Sequence, residues 1–285
     1  MPQRLNFQRK CCVPGWTQGG HRVIRPCEQN ATFQPLRVLS KGTTDKVEVV
    51  RLVPSPCDSV VCKRISIDSW QTAKKEAIVQ DIKRLKALDY QHIIAVVGTY
   101  QAANEYGILM SPVGEQNLEA FLTQLNSRGD EQHQQHKAWL HGWFSCIASA
   151  LFYIHNNGLL HREIEPKNII HRGSEVYFTD FGLRSSTALY AQTTTAYSAP
   201  ETERLESRHT QCSDIFSLGC VYLEMLIARD SRSVKEFRVH CQDSIDFRET
   251  DLFRYHSALP KIKELLSYRC FDDQNHCDSW GRTIL

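Results

Sequence analysis

The stretch from His161 to Gly182 constrains this chain more than any other, because it sets spaced polar clusters among short apolar runs. It reads HREIEPKNIIHRGSEVYFTDFG. Ile169–Ile170 and Val176–Phe178 predict two short β-strands joined by a glycine-containing turn. Such a hairpin brings Asn168, before the first strand, close to Asp180, after the second. An amide and a carboxylate that converge at strand ends suit a hard divalent cation holding a polyphosphate.

This stretch resembles the signature set of the eukaryotic protein kinases, in which a catalytic loop H-R-D-x-x-x-x-N is followed by D-F-G. Further family landmarks occur in order on both sides, so the resemblance covers roughly residues 35–285. They include Ala199-Pro200-Glu201 and a D-x-x-S-L-G run that begins at Asp214. Two positions depart from the family pattern. Glu163 stands where the family has its catalytic-loop Asp, and Glu165 stands where Ser/Thr kinases carry a Lys.

The resemblance implies an α+β, bilobal, protein-kinase-like fold with a small β-rich N-lobe, one major N-lobe helix and a larger helical C-lobe. We expect a mobile N-terminal tail over residues 1–33 and a kinase-like domain over 34–285. Within that domain we expect an N-lobe over about 34–110, a hinge at 111–114 and a C-lobe over 115–285 with a clipped C-terminus. Local patterns agree, since strand-like runs fill 36–65 and helical spacing recurs in 71–88 and after 118.

The resemblance also implies a binding site for ATP. Lys63 matches the strand Lys that pairs with the phosphates, and Asp81 matches the helix residue that pairs with that Lys, with Asp in place of the family's Glu. In the phosphate-covering loop only Gly42 is kept, because Ser40 and Asp45 replace the other two glycines. Asp45 therefore puts a negative charge near the expected phosphates. The other positions implied to contact ATP are Val47, Val61, Met110, Ser111, Val113 and Ile170.

The catalytic and metal residues implied by the family are Lys63, Glu163, Asn168 and Asp180, with Asn168 and Asp180 as ligands of Mg²⁺. Glu163 keeps a carboxylate but places it one carbon–carbon bond further out, and a misplacement of about 1 Å can cost roughly a hundredfold in rate. Glu165 reverses a charge: a cation about 4 Å from the transferred phosphate contributes about 4 kcal/mol at an effective dielectric of about 20. ATP and Mg²⁺ are thus the expected cofactors, while the groups that activate the acceptor have changed.

Three functions remain open at this point. Because the glycine loop, Asp81, Glu163 and Glu165 all depart from the family, we favour a Ser/Thr-type kinase-fold protein that binds Mg-ATP with weak or absent phosphotransfer. Such a pseudokinase would act in signalling or as a scaffold for a protein partner. The alternative is an active Ser/Thr protein kinase that uses Glu163 as its base and another cation in place of the lost Lys. A small-molecule phosphotransferase is disfavoured by Ala199-Pro200-Glu201 and Asp214, which in the family serve protein-substrate docking.

Composition limits the remaining partners and the compartment. The formal net charge of +2 gives no electrostatic reason to expect nucleic acid or membrane binding. The longest apolar stretch, Trp143 to Ile154, is too short for a membrane span, and the N-terminus shows no signal peptide. The eleven cysteines are scattered and lack a C-x-x-C pair, which favours reduced thiols. We therefore expect a cytoplasmic or nuclear protein whose partners are ATP and a protein substrate or binding partner.

Overall fold

The computed structural model describes residues 20–25, 28–29, 32–42, 45–53, 59–67, 72–125, 131–180, 195–203, 209–242 and 253–271. They divide into two compact units. The first unit contains the described residues of Met1–Asn117, Ser145–Leu159 and Ile169–Leu189, and the second those of Leu118–Phe144, Leu160–Asn168 and Tyr190–Leu285. Phe181 and Gly182 of the D-F-G run lie outside the described residues, as does the expected tail up to residue 19.

A six-stranded sheet in the order β1-β5-β6-β4-β3-β2 forms the body of the first unit. All neighbouring pairs are antiparallel except β1 and β5, which are parallel. Its strands are β1 (His21–Val23), β2 (Phe33–Lys41), β3 (Asp45–Leu52), β4 (Val60–Ser66), β5 (Ala95–Ala102) and β6 (Glu105–Ser111). A smaller sheet joins β7 (Gln116–Asn117), β8 (Ile169–Arg172) and β9 (Glu175–Phe178). The hairpin predicted from the 161–182 stretch is therefore present.

Alternation along β4 separates the two faces of the large sheet, because successive side chains of a strand point to opposite sides. Val61 and Lys63 share one face, and Cys62 and Arg64 share the other. Cys62 belongs to a buried apolar cluster on its face. The members of that cluster are Ile24, Phe33, Val50, Leu52, Val60, Cys62, Val97, Tyr100, Ala102 and Leu109.

The N-terminal segment contributes to this cluster, which corrects the expected boundary of the tail at residue 33. Residues 21–23 form β1 beside β5, and the His21 ring lies 3.0 Å from the Thr99 hydroxyl. Phe33 begins β2, is 1% exposed and stacks on Tyr100 with ring centroids 4.7 Å apart. Sequence reasoning missed this because β1 is only three residues long and has no apolar alternation.

The described residues also form six α-helices of seven residues or more. They are α1 (Thr72–Lys86), α2 (Leu118–Leu125), α3 (Glu131–Asn156), α4 (Gln211–Arg229), α5 (Val234–Gln242) and α6 (Tyr255–Phe271). Helix α3 begins at Glu131, so the polar residues from Glu131 to His136 belong to the helix. Helix α4 is long and apolar enough to cross a bilayer, but half of its apolar window is buried inside the protein, as in an ordinary core helix.

Helix α4 begins with a capped first turn. Its N-cap is Thr210, whose hydroxyl accepts a hydrogen bond from the Ser213 amide, and Asp214 lies in the first turn. The Thr210 backbone amide in turn donates to the Ser213 hydroxyl, which completes a capping box. The fold class itself is confirmed, with a mixed sheet and one main helix in the N-terminal part and helices in the C-terminal part.

Candidate functional site

The first unit places four of the nine predicted nucleotide residues on one face of the large sheet. Val47 lies opposite Lys63, and Val61 lies opposite Met110. Residues directly opposite each other in antiparallel strands share a face, so these four side chains lie on the face away from the buried cluster. Lys63 is 5% exposed, which means that its ammonium group needs partners that compensate for lost solvation.

Those partners are two carboxylates of the same unit. The Lys63 ammonium forms a direct ion pair with Asp180, and the Asp45 carboxylate lies 4.0 Å from it. Asp180 follows β9 with a φ of 58°, a left-handed conformation that Asp tolerates better than most residues. The structure thus joins a residue of β4 to one that lies more than a hundred positions later in the sequence.

The hinge residues follow β6 and approach the smaller sheet. Ser111 ends β6, and Val113 follows two residues later. At Gly114, an added Cβ would lie only 3.0 Å from the Cβ of Ile170 on β8. The lack of a side chain at position 114 therefore lets the chain pass close to Ile170, which is one of the predicted contacts of ATP.

The described contacts of Asp81 and Gly42 are with residues near them in the sequence. Asp81 pairs with Arg84, one helical turn later, at 3.6 Å, while the described ion pairs of Lys63 are those with Asp180 and Asp45. The Gly42 amide donates to the Asp45 carbonyl at 2.8 Å and closes the turn between β2 and β3. The structure thus places the Asp45 carboxylate beside Lys63, and the pairing of Asp81 with Lys63 stays a prediction from the family pattern.

The second unit holds the loop that matches the family's catalytic loop. One buried carboxylate, that of Asp214, binds the backbone of this loop. Asp214 is fully buried and accepts hydrogen bonds from the backbone amides of His161 at 2.9 Å and Arg162 at 2.8 Å. The His209 ring nitrogen Nε2 lies 2.8 Å from the same carboxylate. Arg162 has a φ of 72°, so these bonds hold a strained residue in place.

The predicted catalytic residues of the second unit are connected by the loop backbone. The Asn168 side-chain amide donates to the Glu163 carbonyl at 2.8 Å, and the Asn168 backbone amide donates to the Glu165 carbonyl at 3.0 Å. The Glu163 amide donates to the Nδ1 atom of His161 at 3.3 Å. Asn168 and Asp180 belong to different units, so each is placed only within its own unit.

One residue of this loop was missed by the sequence reasoning. Lys167 lies in the short 3-10 turn Pro166–Asn168 and is exposed. It follows Glu165 by two positions, so the loop carries a cation after the glutamate that replaces the family's Lys. The sequence Glu165-Pro166-Lys167 shows this lysine, but it lies two residues after the position at which the family has its Lys.

A third buried network holds the segment that precedes Ala199-Pro200-Glu201. The Tyr197 hydroxyl donates to Glu224 at 3.1 Å, and the Arg238 guanidinium contacts the same carboxylate at 2.8 Å through Nε. Tyr255 also donates to Glu224. Burial raises the pKa of the Glu224 carboxyl. None of these contacts was expected, because a Glu in an apolar helix shows no partner at the sequence level.

The comparisons with known proteins agree with this geometry. The family model for the protein kinase domain matches residues 33–270, and the chain therefore belongs to the protein kinase family. It is 26% identical over 175 residues to the serine/threonine-protein kinase nekl-2 of Caenorhabditis elegans, which covers 59% of this chain and 49% of that protein. It is 26% identical over 205 residues to the probable serine/threonine-protein kinase nek3 of Dictyostelium discoideum, covering 68% of this chain and 18% of that protein.

A relative from another branch is similarly distant. The mitogen-activated protein kinase p38b of Drosophila melanogaster is 25% identical over 222 residues, which covers 73% of this chain and 55% of that protein. The chain thus spans about half the length of the nematode relative and less than a fifth of the Dictyostelium one.

Proposed function

We propose that this chain is a kinase domain of the Ser/Thr type that binds Mg-ATP, transfers phosphate weakly or not at all, and acts in signalling by binding a protein partner. The observation that carries the proposal is the ion pair between Lys63, which is almost fully buried, and Asp180. A buried ammonium beside a carboxylate can bind a phosphate and its metal at one place. We place the protein in the cytoplasm or the nucleus.

The side chains that the family pattern assigns to the nucleotide have chemical groups that suit its magnesium complex. The carboxylate of Asp180 and the amide oxygen of Asn168 are ligands of the kind that Mg²⁺ prefers, and Lys63 supplies the charge that pairs with a phosphate. In this family bound Mg-ATP supplies the phosphoryl group and the cation that neutralises its developing charge. Lys63, Asp180 and Asn168 would bind and orient Mg-ATP. They can do so without the residues that activate the acceptor hydroxyl.

The weak transfer of phosphate is inferred from the residues that should act on the acceptor hydroxyl. Glu163 is longer than the family's Asp, and Glu165 brings a negative charge into the loop that should activate the acceptor hydroxyl. Asp214 holds the backbone at His161 and Arg162, directly before Glu163. We attribute the weak transfer to the identity of the Glu163 and Glu165 side chains.

A titration tests the nucleotide-binding part of the proposal. ATP should raise the midpoint of thermal unfolding only when Mg²⁺ or Mn²⁺ is present, because Asp180 and Asn168 bind through the metal. A ligand present at about a hundred times its dissociation constant stabilises by about 2.7 kcal/mol. Equal stabilisation by ATP with and without the metal would contradict the assignment of these two residues.

The second candidate is a working Ser/Thr protein kinase that uses Glu163 as its base. The intact bonds from Asp214 to the loop favour it, as does the similarity to kinases of that class. The double substitution Glu163→Asp with Glu165→Lys separates the two candidates. We expect it to raise phosphate transfer to a generic basic protein by about a hundredfold, the effect of correcting a misplacement of about 1 Å.

The control for this experiment is Glu163→Gln in the unmodified background. If the double variant transfers no faster than the unmodified chain, the defect lies elsewhere, at Asp81 or in the turn that contains Gly42. If Glu163→Gln abolishes rapid transfer by the unmodified chain, the second candidate is correct.

A further inference from the structure

Lys63 is surrounded by more negative charge than one ammonium group neutralises. The side chain of Lys63 is 6% exposed, while those of Asp180 and Asp45 are 27% and 26% exposed. The family relation implies a role for the first carboxylate, but nothing in the family pattern calls for the second. Asp45 stands at a position where the family pattern has a glycine, so its carboxylate is an addition to that pattern.

The strand register explains how Asp45 reaches the site. Val47 lies opposite Lys63 on the neighbouring strand, and Asp45 precedes Val47 by two residues. Residues two apart on a strand point to the same side, so Asp45 shares the face of Lys63. Its Oδ2 atom lies 4.0 Å from the Lys63 ammonium nitrogen.

The other carboxylate oxygen of Asp45 lies against the turn. A Cβ added at Gly42 would collide with the Oδ1 atom of Asp45, so the carboxylate fills the space that glycine leaves open. The Gly42 amide donates to the Asp45 carbonyl at 2.8 Å and keeps the two residues together. One carboxylate therefore connects the glycine turn with the buried ammonium.

We propose that Asp45 is an autoinhibitory carboxylate that occupies the anion position between Gly42 and Lys63, so that nucleotide phosphates bind only in exchange for it. This inference rests on the proposed binding of Mg-ATP and concerns the affinity of that same site. It predicts that Asp45 lowers the affinity for the triphosphate part of ATP and does not change the affinity for the nucleoside part. Loss of the Asp45 charge should therefore strengthen phosphate binding and leave nucleoside binding unchanged.

The test compares the unmodified chain with Asp45→Asn, which keeps the size of the side chain and removes its charge. We expect Asp45→Asn to bind Mg-ATP and magnesium tripolyphosphate up to about fivefold more tightly in isothermal titration, the size of an interaction between partly exposed charges. Affinity for adenosine should be the same for both proteins. Asp89→Asn is the matched control, since it makes the same charge change at an exposed residue of the first unit.

Each result has a separate meaning. If the unmodified chain binds Mg-ATP and Asp45→Asn binds it no more tightly than Asp89→Asn does, the autoinhibitory role is wrong while the proposed function stands. An equal gain for adenosine and Mg-ATP would also contradict the role, because adenosine carries no phosphate. If neither the unmodified chain nor Asp45→Asn binds Mg-ATP or magnesium tripolyphosphate, both the proposed function and this inference are overturned.

Discussion

Two carboxylate sites of this molecule, one in each unit, differ in how their charge is balanced. In the second unit, Asp214 is fully buried and is matched by two backbone amides and the His209 ring. In the first unit, two partly exposed carboxylates share the single ammonium of Lys63. The charge of Asp214 is balanced by its donors, and the residue supports the loop. The site around Lys63 has one more carboxylate than ammonium groups.

The difference separates what holds the fold from what meets a ligand. A buried carboxylate with three donors stabilises the loop backbone whatever the loop does chemically. An excess of carboxylates beside a buried ammonium adds little to stability, but it changes which anions can enter. The support of the loop backbone is therefore present in the second unit, while Glu163, Glu165 and Asp45 stand where the family pattern has other residues.

The largest expected effect comes from removing the satisfied carboxylate. Asp214→Ala leaves the amides of His161 and Arg162 buried without their acceptor, and we expect a loss of about 3 kcal/mol or more in the free energy of unfolding. Urea denaturation measures it. Asp230→Ala, which removes a partly exposed ion pair with Arg229, is the control and should cost less than about 1 kcal/mol. Equal losses would mean that the three bonds to Asp214 do not stabilise the loop.

A smaller effect is expected on the two faces of β4. Arg64 bonds Glu48 at 2.6 Å and Glu105 at 2.9 Å on the face away from the candidate site, and Glu48 is 1% exposed. Arg64→Met should cost about 2 kcal/mol of stability, because it removes charge-assisted bonds to a buried carboxylate. It should leave the affinity for Mg-ATP within about twofold.

The neighbouring substitution gives the matched comparison for that experiment. Lys63→Met changes the other face of the same strand and should abolish binding of Mg-ATP in the same titration. If Arg64→Met weakens nucleotide binding as much as Lys63→Met does, the separation of the two faces is wrong.

The smallest effect concerns a thiol behind the site. Burial raises the pKa of the Cys62 thiol to about 12, so it stays protonated in the folded chain as the pH rises through the usual range of thiol ionisation. At pH 8 roughly one Cys62 in ten thousand is then a thiolate. Mass-spectrometric mapping with iodoacetamide should find Cys212, which is exposed, labelled quickly and Cys62 labelled only after unfolding. Rapid labelling of Cys62 in the folded chain would contradict the buried cluster.

Much of the framework could be predicted from the sequence because its signals are local. Alternating residues predicted β3 and β4, helical spacing predicted α1 and α2, and a glycine turn between apolar pairs predicted the hairpin of β8 and β9. The family pattern added the order of these elements along the chain, and the family match confirms it.

The remaining features depend on contacts between distant residues. Phe33 is buried because it joins the cluster around Tyr100 of β5, a residue far along the chain, which no pattern within residues 20–33 indicates. The network around Glu224 combines Tyr197, Arg238 and Tyr255 from separate elements. The position of Asp45 beside Lys63 required the register of β3 against β4, which the sequence alone does not set.

The most direct test of the account is transfer of radiolabelled phosphate from ATP to a generic basic protein by the purified chain, with Asp180→Ala as the blank. We predict that the unmodified chain binds Mg-ATP and yet transfers phosphate scarcely faster than the blank, because the groups that hold the nucleotide are present and those that activate the acceptor have been replaced. Rapid transfer by the unmodified chain that is lost in Glu163→Gln would contradict this prediction and establish an active kinase.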